Sequence, residues 1–164
     1  MADKFEFISA TDKPAILAFT TPDWLDAARN ALTELGYKVH TAATHGDFLV
    51  RYSRVRYQVA IVEELFCANT LAENTTLFEL QHMPMSRRRH STVVLVGDSF
   101  QTFNPLQAFQ QSVHAVVSSS ELFLLKQLIE KAVTDNGQFL SDLHETQARV
   151  FSGRIREAGK DPAA

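Results

Sequence analysis

The chain has 164 residues, 45% of them apolar, and its 16 basic and 19 acidic side chains give a formal net charge of −3. That length and composition suit one domain with a sizeable core and exclude a disordered tail or a disulfide miniprotein. The charge balance supplies no global field for nucleic acid or anionic membrane, and one cysteine, Cys67, can build neither an intrachain disulfide nor a cysteine zinc site.

No apolar run approaches the roughly 20 residues of a membrane-spanning helix, and the first residues lack a signal-peptide hydrophobic stretch, so the expectation is a soluble cytoplasmic domain. Apolar β-prone runs alternate with segments of helical period, as in a parallel sheet covered on both faces. Residues 14–19 form a nearly continuous apolar strand. Thr21 and Pro22 then open a helix, with Thr21 as N-cap and Pro22 in the first helical position. Trp24, Ala27, Ala28, Ala31, Leu32 and Leu35 recur every three or four residues, and Gly36 stands where a left-handed residue closes the helix. A second strand is predicted over 38–43, a short helix over 48–55, and a third strand over 57–62 that ends at Glu63 and Glu64. Residues 65–75 make a longer loop than such units usually need. A helix over 76–82 leads to Pro84 and the basic run Arg87, Arg88, Arg89, read as a solvated turn. The fourth strand, 92–96, is broken by Gly97 and Asp98. A helix over 105–111 precedes a fifth strand, 113–117, which ends in Ser118, Ser119 and Ser120.

From Ser120 the helical period runs on. Leu122, Leu125, Ile129, Ala132, Asn136, Phe139, Leu143, Thr146 and Val150 alternate at three and four residues, a heptad-like seam. Uninterrupted, a helix over 120–158 would span roughly 58 Å. Asp135, Asn136 and Gly137 also make a good turn, and a glycine costs about 1 kcal/mol inside a helix, so both a continuous and a broken helix fit the pattern. Either way Phe139, Leu140, Leu143, Val150, Phe151 and Ile155 need cover. A homodimer through this helix would supply it, and so would a fold-back at Asn136 and Gly137. The expected organisation is an N-terminal segment 1–12, a domain 13–135, a helical extension 136–158 and a disordered tail 159–164.

Taken together, Ile16 to Pro22 as first strand and turn, 32–39 as the passage to the second strand, Ala43 to Gly46 as its turn, 58–63 as the third strand, and 92–98 and 113–120 as the last two resemble a response-regulator receiver domain. The resemblance covers about residues 13–135. It implies a doubly wound, flavodoxin-like α/β fold: a five-stranded parallel sheet in the order 2-1-3-4-5, here with an extended C-terminal helix. It also implies a place in two-component or phosphorelay-like signal transduction. In that family two acids after strand 1 and an acceptor aspartate after strand 3 hold Mg²⁺, while a hydroxyl after strand 4 and a lysine after strand 5 contact the phosphoryl group. Carried over, the acid pair falls on Thr20 and Thr21, the acceptor on Glu63, the hydroxyl on Gly97 and the lysine on Ser119, followed by Ser120 in place of the usual proline. None of the five matches.

Mg²⁺ takes charge from carboxylates, which two threonines do not supply, and phosphoryl transfer needs nearby cations, which Ser119 does not supply. The expectation is a degenerate pseudo-receiver: no enzyme, no cofactor, no metal, and a protein partner or a second copy in place of nucleic acid or membrane. The alternative is a phosphoacceptor or small-ligand-binding receiver with unusual residues at the same edge. Glu63 reads either as a fixed mimic of a charged acceptor or as a solvated acid at a strand end. Glu64, Asp98, Ser99, Ser118 and Ser120 should converge with it at the carboxyl edge of the sheet, where such folds bind ligands, or serve as loop and cap residues. The six histidines assemble no zinc or acid–base site, and neither a glycine-rich nucleotide loop nor a nucleophile elbow is present.

Overall fold

The computed structural model describes residues 7–158. In chain order it contains β1 (Lys13–Ala18), α1 (Pro22–Glu34), β2 (Tyr37–Ala42), α2 (His45–Arg54), β3 (Val59–Glu63), α3 (Thr75–His82), α4 (Met85–Arg88), β4 (Thr92–Gly97), α5 (Pro105–Gln110), β5 (Ala115–Ser118) and α6 (Leu125–Ala158). Short 3-10 turns occupy Leu71–Glu73 and Ser119–Leu124. The apolar runs form one parallel sheet in the order β2-β1-β3-β4-β5. Strand period decides which core each side chain joins. Ile16, Leu95 and Val116 face α2 and α3 with Phe48, Tyr52 and Leu80. Leu17, Ile61 and Val94 face α1 and α6 with Leu32, Leu125 and Ile129. Each such Leu or Ile contributes about 1.5–3 kcal/mol by leaving water.

The register fixes where the functional edge lies. Ala18 pairs with Val62, Glu63 with Val96 and Gly97 with Ser118, so the strands end in line and the loops that follow them meet. Gly36 closes α1 with a positive φ of 83°, as expected of a residue without a side chain. Strand limits shift by a residue or two from the sequence reading, and α2 starts earlier, at His45, because the Thr44 hydroxyl accepts from Asp47 N at 3.1 Å and caps it.

One sequence expectation fails at the basic run. Residues 85–88 form α4, and Arg88 is buried, with its guanidinium donating to Leu80 O at 3.1 Å and to Ser112 O. Those carbonyls take up both terminal nitrogens of a charge that would be costly to bury alone, while its Nε makes no hydrogen bond. Arg88 thus ties the end of α3 to the loop before β5, while Arg87 stays in solvent.

α6 is continuous through Gly137 for 34 residues, about 50 Å. A side chain at Gly137 would meet nothing within 4 Å. Asn136 is engaged elsewhere, donating to Thr92 Oγ1 at 3.0 Å, and the pairs Lys131–Asp135 and Gln138–Asp142 bridge successive turns on either side of the glycine. The fold-back is therefore not the one adopted. Beyond the sheet, Leu140 and Leu143 are half-buried, whereas Phe139, Val150 and Phe151 are 63%, 50% and 67% exposed. The side chain of Ile155, residues 1–6 and the tail 159–164 lie outside the described residues. Among the described residues no helix is long and apolar enough to cross a membrane.

Candidate functional site

Two acids leave β3 side by side and turn opposite ways. Glu63, the last residue of β3, is buried and reaches across to the start of α1. Its Oε2 accepts from Thr20 N at 2.5 Å and from Thr21 N at 3.0 Å, and its Oε1 accepts the Thr21 hydroxyl at 2.6 Å. Main-chain N–H groups at the beginning of a helix are unsatisfied by the helix itself and carry partial positive charge. Glu63 answers both needs from a neighbouring strand. Thr21 is the N-cap residue by position, yet its hydroxyl makes no capping bond and is spent on Glu63 instead. The expectation of a solvated acid at a strand end is thereby corrected.

Glu64 is also buried, and it continues the ladder by donating its N–H to Val96 O at 2.7 Å. Its carboxylate lies over Gly97, where an added Cβ would come within 2.1 Å of Oε2 and 2.6 Å of the Glu64 Cβ, and it accepts from Ser99 N at 3.3 Å. Gly97 is therefore required by close approach, a role unconnected with the hydroxyl that receivers place there. At the end of β5 the Ser119 hydroxyl donates to Asp98 Oδ1, the Ser118 and Ser120 hydroxyls share a hydrogen bond of 2.9 Å, and Ser118 N donates to Thr102 Oγ1 at 3.0 Å. The positions singled out in the sequence thus fall at one edge of the sheet in three sets of contacts. Thr20, Thr21 and Glu63 touch one another, and Glu64 covers Gly97. Ser119 is held by Asp98.

Two further residues complete the edge, and the sequence reading assigned neither a role there. Asn74 caps α3, its Oδ1 accepting from Leu77 N at 3.1 Å, and its side-chain amide donates to Glu63 O and Glu64 O at 3.0 and 3.1 Å. It fastens the carbonyls of both acids. His45 accepts at Nδ1 from Thr76 N at 3.1 Å, which leaves Nε2 as the N–H that donates to Cys67 O at 3.3 Å. Cys67 takes a left-handed φ of 46°, and its N–H donates to Thr20 Oγ1 at 2.9 Å. The long loop after β3 is pinned in this way at several points. An asparagine just ahead of a helical period was a visible capping signal for Asn74. His45 carried none, because its partners are more than 20 residues away.

The receiver fold implies Mg²⁺ at this edge, and the residues present do not fit it. Thr20 and Thr21 are neutral, both oxygens of Glu63 already accept hydrogen bonds from the start of α1, and Glu64 is turned away over Gly97. Among the described residues no group of three or more His, Cys, Asp or Glu side chains is placed to hold a metal ion.

No family model and no curated protein matches the chain. Solved structures do. A CheY-like response regulator receiver domain protein from Methanospirillum hungatei is similar with a TM-score of 0.60 at 16% identity, over 78% of this chain and 98% of that one. A chemotaxis response regulator of Vibrio cholerae is similar with a TM-score of 0.58 at 14% identity, over 74% of this chain and 99% of that one. A third chain, in which a trimeric coiled-coil segment from yeast is fused to another protein, is similar with a TM-score of 0.58 at 17% identity. It covers 93% of this chain and 95% of its own, a share too large to leave out the far half of α6. At these identities the likeness shows the receiver fold.

Proposed function

We propose that this chain is a non-enzymatic signal-transduction module, an atypical receiver that works through a protein partner and through its own dimerisation, without aspartyl phosphorylation. The observation that carries the reading is the Glu63 carboxylate, closed onto Thr20 N, Thr21 N and the Thr21 hydroxyl. A carboxylate phosphoacceptor must offer one oxygen to an incoming phosphorus atom and the other to a cation. Here those oxygens cap a helix. The response regulators that share the fold supply the signalling context, and the exposed apolar half of α6 supplies a contact surface.

The test is incubation of the full chain with Mg²⁺ and acetyl phosphate, and separately with beryllofluoride, followed by intact-mass measurement and Mg²⁺ titration. The expected result is no adduct and no Mg²⁺ binding at millimolar concentration. A stoichiometric adduct that Glu63→Gln abolishes would establish the phosphoacceptor alternative instead.

A further inference from the structure

We infer that the far half of α6 pairs in antiparallel fashion with the same segment of a second copy, so that Val150 and Phe151 of each chain enter the groove beside α6 of the other. The inference rests on the dimer reading above and adds its orientation, register and docking site.

The face of the helix comes first. Leu125, Ile129 and Ala132 are buried against the sheet. Leu143 lies 18 residues beyond Leu125, five turns at about 3.6 residues each, and so points the same way. Phe139 and Val150 fall seven residues after Ala132 and Leu143, within about 20° of them. The face that covers the sheet therefore runs on past it, where Leu140 and Leu143 are half-buried at the rim of the domain while Phe139 and Val150 stay largely in water.

That continuity decides the orientation. In a parallel pair along this face, Leu125 to Ala132 of the second chain would run beside those of the first, in the volume filled by the first chain's own sheet. An antiparallel pair sends the second sheet beyond the opposite end. Charge agrees. A heptad register with Phe139 and Leu143 at the seam would set Arg149 against Arg154 in a parallel pair, whereas an antiparallel pair sets Asp142 against Arg149 twice by symmetry.

The register follows from the same seam. With Leu143 level with Thr146 and Phe139 level with Val150, the two-fold axis passes between residues 144 and 145. Gly153 then comes level with Asn136, where the helix meets the sheet and a side chain on the incoming tip would be in the way. At that height a groove of about 590 Å³ is lined by Met85 of α4, Ala108 of α5 and Asp135, Phe139, Leu140 and Leu143 of α6. Val150 and Phe151 of the second copy are the apolar side chains this register brings to it.

The orientation is read by cross-linking in the full chain, with Cys67→Ser as background. Chains carrying Phe139→Cys and chains carrying Val150→Cys are oxidised separately and mixed. The expected product is a disulfide-linked dimer in the mixture alone, because two copies of position 139 stand about 16 Å apart along an antiparallel pair, too far for a disulfide. Cross-linked dimers from each variant alone, without the mixed product, would overturn the antiparallel inference and leave the dimer reading standing. A chain that sediments as a monomer at high micromolar concentration and gives no cross-link would remove both. A second measurement uses charge: Asp142→Arg should weaken dimerisation roughly threefold to tenfold, and adding Arg149→Asp should restore it. Failure of the double exchange to restore dimerisation would overturn the register.

Discussion

The carboxyl edge of the sheet and the far half of α6 treat their side chains in opposite ways. At the edge, buried Glu63 and Glu64 find hydrogen bonds within their own chain, and the loop residues Asn74, His45 and Cys67 lock around them. Along α6, Val150 and Phe151 stand largely in water, and Phe139 is only partly covered at the rim of the groove it shares with α4 and α5. A region that satisfies its polar groups internally has little left to offer a ligand. One that leaves apolar area open forgoes a stabilisation of about 1.5–3 kcal/mol per side chain until something covers it. The fold thus places its unmet chemistry at the opposite end from the edge that receivers use.

Four experiments press on that contrast. The largest effect should come from Gly97→Ala, which forces a methyl group into the Glu64 side chain; a loss of about 2–3 kcal/mol in urea denaturation is expected. Glu63→Ala should follow closely at about 2 kcal/mol, because Thr20 N, Thr21 N and the Thr21 hydroxyl lose a charged acceptor together. Unchanged stability would mean that Glu63 is not a latch. A smaller effect should come from pH. Burial, with Arg56 nearby, holds the half-buried His90 below its ordinary value. The folded chain therefore prefers neutral His90, so this contribution is full above about pH 6.5 and is lost as pH falls from there through the lower folded-state value. Denaturation curves from pH 7.5 to 5 should show that decline, to which His114, held low chiefly by its own burial, adds in the same sense, and His90→Gln should reduce its slope without removing it. The smallest change in stability, below about 0.5 kcal/mol in dilute solution, is expected from Val150→Asp, which should nevertheless abolish the dimer in sedimentation equilibrium.

The legibility of the sequence divides along similar lines. The strands could be read because buried strands are continuous apolar runs, and the helix seam from Leu125 to Val150 because its period is local; the order of the strands came from the resemblance to receiver domains. The positions Thr20, Thr21, Glu63, Gly97 and Ser119 could be placed at the edge by carrying them over from the receiver resemblance. What Glu63 does there could not, since its partners lie more than 40 residues away and a strand-end acid looks the same whether it faces water or caps a distant helix. Arg88 was misjudged for a related reason: three consecutive arginines look solvated, and only the approach of Leu80 O and Ser112 O makes a place for one of them inside. Continuity at Gly137 was undecidable locally, because a turn and a helix cost nearly the same there until Asn136 is committed to Thr92.

The unbroken α6 also has a mechanical side. It is gripped over its first half, by Leu125, Ile129, Ala132, the Lys126–Glu34 ion pair to α1 and the Asn136–Thr92 hydrogen bond, with Leu140 and Leu143 half-buried beyond. From Asn136 to its end it reaches about 33 Å as a stiff rod. A tilt of about 5° at the grip, no more than a slight repacking of α1 against the sheet, would carry the free end through roughly 3 Å. α6 is in that sense a pointer, turning adjustments too small to disturb the core into displacements as large as a side-chain contact.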